Sequence, residues 1–242
     1  MAKTYLYFEY KTIKLDDEKC IQITKFDNSI TNPEVPSSIE GLPVRSLGSR
    51  CFAFSFIQSV LLPNTLKEIN SLAFSQCSSL RALYIPDSVK SIGAGICSYC
   101  SELESVRWSK NVNYIPANAF CVCGELTEVS NIDHVVEIGS GAFELCHFTS
   151  FRLPPRLKTI RKDAFACCYK LKEIEAKKAI PNTDKKAFYD VPYIMVKCRG
   201  NSSAEKWAKK IGLTPVAINV EDSKLNTFLS NIETENKTER DK

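Results

Sequence analysis

The residues with the greatest chemical reach are a few thiols, two imidazoles and one pair of carboxylates. Cys121-Val122-Cys123, Cys167-Cys168 and Cys146-His147 place soft ligands side by side. Structural zinc, however, needs two such pairs converging on one point. Here the second cysteine of each pair falls at a periodic position that faces inward, so its neighbour must point elsewhere, and no metal site is expected. His134 and His147, the two histidines, stand beside no nucleophile. No phosphate-cradling glycine loop, nucleophile elbow or paired-histidine zinc motif occurs. Glu173 and Glu175 lie two apart and share one face of an extended segment. Paired carboxylates do acid–base work only where a pocket separates their pKa values, and an open sheet offers none. No catalytic residue and no cofactor are expected.

These residues belong to a phrase that recurs along the chain. It reads I-x-x-x-A-F-x-x-C-x-x-L-x-x-L-x-I-P-x-x-x-x-I and is clearest from Ile69 to Ile92. The opening apolar residue falls at Leu47, Ile69, Ile92, Ile115, Ile138 and Ile160, in steps of 22 or 23 residues, with a worn seventh copy near Thr183. The Ala-Phe pair recurs at Ala73-Phe74, Ala119-Phe120, Ala142-Phe143, Ala164-Phe165 and Ala187-Phe188, and is replaced by Ile96-Cys97 in the third copy. Cysteine recurs at Cys77, Cys100, Cys123, Cys146 and Cys168.

Fixed self-similarity of this length decides the fold before any local propensity does. The L-x-x-L-x-I segment alternates at its end with the two-residue period of a half-buried strand, and proline closes it by offering no amide proton. The Ala-Phe-x-x-Cys stretch has helical spacing over one or two turns, too few to persist alone. One copy cannot bury its own apolar residues, but stacked copies can. The expected fold is therefore a β-rich repeat solenoid with a parallel concave sheet, short helical turns on the convex side and a cap at each end. With strands about 4.8 Å apart, seven copies give a sheet about 30 Å wide.

The phrase, with Ile92-Gly93, Ile138-Gly139, Ile85-Pro86 and Leu153-Pro154, resembles the BspA-like (treponemal type) leucine-rich repeat family over roughly residues 20–200. The segment from Val35 to Gly48 is similar to the family's first unit, with five extra residues ahead of the apolar opener. The resemblance implies a leucine-rich-repeat horseshoe. It also implies surface adhesion, with a host or matrix protein as partner.

By itself the chain gives a milder picture. It has 242 residues, 44% apolar, and a net charge of +4 from 32 basic and 28 acidic residues that are interspersed. Such a balance calls for neither nucleic acid nor an anionic membrane. No apolar run reaches 18 residues, and the first ten residues lack a secretory pattern. The sequence alone thus indicates the cytoplasm, and the resemblance the cell surface. The eleven cysteines are expected to be reduced, five of them as small core residues.

In chain order, residues 1–46 are expected to form a hairpin cap and an irregular first unit, turning at Asp16-Asp17-Glu18. Residues 47–200 form seven repeats. Residues 201–218 form a capping helix, begun by Ser202 or Ser203, stopped by Gly212 and laying Trp207 on the last coil. Residues 219–242 are expected to be a charged, partly disordered tail, with Leu225, Phe228, Leu229 and Ile232 at the spacing of one short amphipathic helix and Glu233 to Lys242 disordered. Trp108, at an inward strand position of copy three, reads as core.

Two columns on the open face are free of core duty. One is Leu61, Tyr84, Arg107, Ser130, Arg152, Glu175 and Lys197. The other is Ser59, Ala82, Ser105, Glu128, Ser150, Glu173 and Met195. The first column is the expected binding face. Tyrosine and arginine are favoured interface anchors, and the expected ligand is a protein or glycan, bound by a monomer. The alternatives are an intracellular interaction scaffold using the same face, and an enzyme with a site at His134, His147 or Glu173 and Glu175.

Overall fold

The computed structural model describes residues 3–218; the tail around Phe228 lies outside them. The chain opens with three antiparallel strands, β1 (Lys3–Tyr5), β2 (Phe8–Leu15) and β3 (Glu18–Phe26). The β2–β3 turn holds Asp16 and Asp17 at φ of 50° and 64°, left-handed values that short polar residues tolerate and two-residue hairpins favour. Next come β4 (Ser38–Ile39) and β5 (Leu42–Leu47), and β5 runs parallel to β3.

Each following coil contributes two short strands. They are β6 (Glu68–Ile69), β7 (Ala82–Tyr84), β8 (Ser91–Ile92), β9 (Ser105–Arg107), β10 (Tyr114–Ile115) and β11 (Glu128–Ser130). They continue with β12 (Glu137–Ile138), β13 (Ser150–Arg152), β14 (Thr159–Ile160), β15 (Glu173–Glu175), β16 (Asn182–Thr183) and β17 (Met195–Arg199). Helix α1 (Ser203–Lys210) and β18 (Thr214–Ile218) follow. The odd-numbered strands from β7 to β17 stack into the concave sheet. The even-numbered ones from β6 to β16 form a second parallel ladder around the apolar openers.

The core is a set of files. Leu47, Ile69, Ile92, Ile115, Ile138 and Ile160 are buried, as are Leu80, Leu103, Leu126 and Leu171. Phenyl rings stack from coil to coil, with centroids 5.5 Å apart for Phe120–Phe143, 5.3 Å for Phe143–Phe165 and 5.2 Å for Phe165–Phe188. Copy three breaks this file with Cys97. In the same coil Trp108 is fully buried and meets Phe120 edge-on at 5.9 Å, so the coil that lacks a phenyl ring in the file carries an indole against the next one. The five periodic cysteines stand in single file. Their thiols donate to the carbonyls of Phe52, Phe74, Cys97, Phe120 and Phe143 at 3.0 or 3.1 Å. Each thus adds a second bond to a carbonyl of the preceding coil that already accepts the amide three residues on, as the Phe74 carbonyl does from Cys77 at 3.3 Å.

The convex side departs from the expected short helical turns. Within the coils the turns carry left-handed residues at two places, for example Leu72 and Gln76, Asn118 and Val122, Asp163 and Cys167. Alternate amides therefore point along the solenoid instead of back to residue i−4. Leu72, Phe74 and Gln76 donate to the carbonyls of Ala94, Ile96 and Ser98 in the next coil, at 2.8 to 2.9 Å. In the coils of Gly93 and Gly139 the preceding coil leaves no room for a side chain on the residue after the opener. A Cβ on Gly139 would lie 2.6 Å from the Ala117 nitrogen.

Each ladder is interrupted once. Asn70, Gly93, Gly139, Arg161 and Asp184 donate to the openers Leu47, Ile69, Ile115, Ile138 and Ile160. Pro116 occupies that place in its coil and has no proton to give. The Tyr114 hydroxyl takes over, donating to the Ile92 carbonyl at 3.1 Å and accepting from the Ile92 amide at 3.2 Å. The concave sheet divides between β11 and β13 into sheets of three and four strands.

At the C-terminus, Ser202 caps α1 by accepting from the Glu205 amide at 3.2 Å, and Trp207 donates to Thr183 at 2.9 Å. Residues 214–218, expected to belong with the helix, instead form β18 parallel to β17. Thr214 donates to the Ile194 carbonyl. By the alternation of a parallel ladder, Pro215 then presents its protonless nitrogen outward, the side on which a strand tolerates proline.

Candidate functional site

The concave sheet is built by registers that align the exposed columns. Tyr84 pairs with Arg107 and Arg107 with Ser130; Arg152 pairs with Glu175 and Glu175 with Lys197. Leu61 precedes this sheet as a single bridge to Glu34 and is 61% exposed.

Most of these side chains engage one another. The Arg107 guanidinium lies 4.6 Å from the centre of the Tyr84 ring, and the ring remains 54% exposed. Both Arg107 nitrogens bond Asp87 at 3.1 Å. The Lys110 amide donates to the same carboxylate at 3.0 Å, and the Lys110 ammonium stands 3.7 Å away. The Arg107 bonds, followed by the Lys110 amide, hold the Asp87 carboxyl down at about 2. Asp87 thus anchors Arg107 beside Tyr84. Its sequence signal was slight, an acidic residue directly after Ile85-Pro86 in the turn that closes the strand. Farther along, Arg152 stands 3.9 Å from Glu175, and Lys197 bonds Glu173 at 2.8 Å. Each carboxylate of the Glu173–Glu175 pair therefore faces a cation.

His134 bonds the Val112 carbonyl at 3.0 Å, and His147 packs over Gly124. Burial pushes the thiol of Cys168 up to about 12 and those of Cys123 and Cys146 well above their ordinary value. Thiols in that state are poor nucleophiles and poor metal ligands. Among the described residues, no three of His, Cys, Asp and Glu converge on a point, and no helix is long and apolar enough to cross a membrane.

A feature that column reading missed lies between β11 and β13. A cleft of about 430 Å³ opens there, lined by Glu128, Ser130, Asn131, Asp133, Ser150 and Arg152 over Val129, Ile132 and Phe151. It unites two members of the expected binding column, Ser130 and Arg152, at the place where the sheet divides.

The comparisons with known proteins agree with this architecture. The family model described as BspA type leucine rich repeat region matches six copies over residues 19–147 and 113–198. No curated protein sequence gives a significant match. Among solved structures, a leucine-rich repeat protein from Eubacterium ventriosum is 22% identical with a TM-score of 0.63, covering 74% of this chain and 50% of its own. The chain therefore spans about half the length of that relative. A leucine rich cell surface protein from Faecalibacterium prausnitzii is 20% identical with a TM-score of 0.47, covering 81% of this chain and 76% of its own. The leucine rich repeat protein of T. pallidum is 24% identical with a TM-score of 0.38, covering 65% of this chain and 91% of its own. With its matched copies spanning residues 19–198, the chain belongs to the BspA type leucine-rich repeat family.

Proposed function

We propose that the protein is a non-catalytic binding module whose concave sheet holds a protein partner, and that it acts as a monomer in surface adhesion. The observation that carries this reading is the Tyr84–Arg107–Asp87 group. An exposed aromatic ring and a guanidinium, both held in place by their neighbours, lose little freedom on binding. The paired charges beyond them present a polar surround of alternating sign, suited to a folded protein surface more than to a uniformly charged polymer.

The test is capture from the source cell with purified protein and a Tyr84→Ala/Arg152→Ala variant. Both side chains are exposed, so the variant should keep its thermal midpoint and lose the captured partner. An unchanged partner with an unchanged midpoint refutes the assignment of this face.

A second reading, an intracellular interaction scaffold, has its own support. The five thiols in file act as donors, a role that ends on oxidation and suits a compartment that keeps thiols reduced. Fractionating the source cell distinguishes the two: protein accessible to surface labelling supports adhesion, and protein confined to the soluble interior supports the scaffold.

A further inference from the structure

We infer that the cleft between β11 and β13 is a subsite for an extended peptide segment of the partner, which bonds to main chain that the protein leaves unpaired. This rests on the reading of the concave sheet as the binding face and adds where and how that face recognises its ligand.

The break has two causes, both in the sequence. From the periodic cysteine to the strand's apolar residue is six positions in Cys77–Leu83, Cys100–Val106, Cys123–Val129 and Cys168–Ile174, but five in Cys146–Phe151. The fifth copy is one residue short, and Phe148 stands in for its missing leucine. In the fourth copy Asn131 falls where Ile85, Trp108 and Leu153 point inward. It adopts φ 61°, turns out to solvent and lets Ile132 take the core position. Strand β11 thus curls away while β13 starts out of step.

The result is a row of backbone groups without partners. The amides of Arg81, Glu104, Thr127, Lys172 and Met195 donate to the carbonyls of Gln58, Arg81, Glu104, Thr149 and Lys172, one coil back. No amide of the β13 coil reaches Thr127. Trp108 and Leu153 donate to the carbonyls of Ser130 and Glu175, whereas Asn131 makes no such bond to the next coil. Side chains do not make up the loss. Those of Thr127, Ser130 and Asn131 bond backward, to Glu104, Val106 and Trp108. At the other interruption, by contrast, the Tyr114 hydroxyl occupies the gap. One break is plugged from within the chain and the other is open to solvent at the centre of the concave face.

The chemistry selects the ligand. Donors and acceptors that alternate along a strand edge match the alternation of a peptide backbone. The hydroxyls of a sugar ring have no such order. The walls carry both signs, Glu128 and Asp133 against Arg152, over the apolar floor of Val129 and Phe151. That favours a neutral, dipolar amide over an anion or a cation.

The experiment is titration of ¹⁵N-labelled protein with the capped tripeptide Ac-Gly-Asn-Gly-NH2, and separately with N-acetylglucosamine, to about 10 mM. The expected result is amide shift changes confined to residues 127–133 and 149–152 with the peptide. Two variants should bind it at least tenfold more weakly. One is Ser150→Tyr, which fills the cleft from an exposed position; the other inserts a glutamate between His147 and Phe148, restoring the six-residue spacing. Ser150→Tyr decides the matter whether or not the insertion variant folds. Equal binding by Ser150→Tyr, no shifts at 127–133 and 149–152, or tighter binding of the sugar there overturns the inference. Shifts at residues 82–84, 105–107 or 173–175 instead would remove the cleft and leave the concave reading standing. Shifts confined to the convex turns would remove both.

Discussion

The exchange of bulk between Cys97 and Trp108 makes a quantitative prediction. Trp108 is fully buried and its ring lies against Phe120, next to the place where Cys97 interrupts the phenyl file. Trp108→Leu removes part of a buried indole and strands the room around it; by large-to-small precedent this costs about 3 kcal/mol. Cys97→Phe forces a ring into a fully buried position already filled by its neighbours, an overpacking cost of about 2 kcal/mol. If the two residues share one volume, the double variant relieves both faults, because the new phenyl occupies what the indole has left. The double variant should then lie about 2–3 kcal/mol above the sum of the single changes. The assay is urea unfolding of the four proteins of the cycle, followed by tryptophan-independent circular dichroism. A coupling below about 0.5 kcal/mol would show that the indole and the thiol sit in separate spaces, and the compensation argument would fall.

Other perturbations follow from single contacts. Asp87 is held near 2 when folded and returns to about 3.9 when unfolded. Its depressed pKa contributes stability that is complete above about pH 4 and fades as the pH falls toward 2. The pair is about 30% exposed, so solvent screening reduces the linked contribution to about 1 kcal/mol. Asp87→Asn should flatten that part of the acid-unfolding curve, and an unaltered slope between pH 4 and 2 would disprove the link. Tyr114→Phe strips both bonds from Ile92 and should cost about 1–3 kcal/mol, with faster hydrogen exchange at the Ile92 amide; unchanged exchange there would show that the hydroxyl does not plug the gap.

Much of the architecture was legible because it is periodic. Leu47, Ile69 and their successors repeat at a spacing that only stacking can bury, and the cysteine file follows from the same count. The convex turn was not legible. Residues at helical spacing, such as Ala73 and Phe74 with Cys77, look alike whether the backbone closes a helical turn or alternates with left-handed residues, and amides directed along the stack are invisible in a single copy. The strand at 214–218 was hidden by Pro215, which argues against an interior strand and is permitted at an edge. At the binding face the columns were readable and their pairings were not. The partner of Arg107 lies in a turn 20 residues earlier, and the division of the sheet hangs on one missing residue and one polar residue, each unremarkable until the coils are aligned.

The outward nitrogen of Pro215 matters beyond its own coil. An in-register stack of identical short strands is also the growth template of a fibril, to which a further molecule can add wherever a terminal strand offers free amides. At the C-terminal strand the proline silences one of the outward donors of β18. At the opposite end the outermost strand carries Lys3, tied to Glu40 at 2.7 Å, and an arriving strand would have to desolvate that charge. Chemistry at both edges of the described stack thus opposes strand addition, and replacing Pro215 with an ordinary β-former is the change that would test how much the C-terminal edge of that stack depends on it.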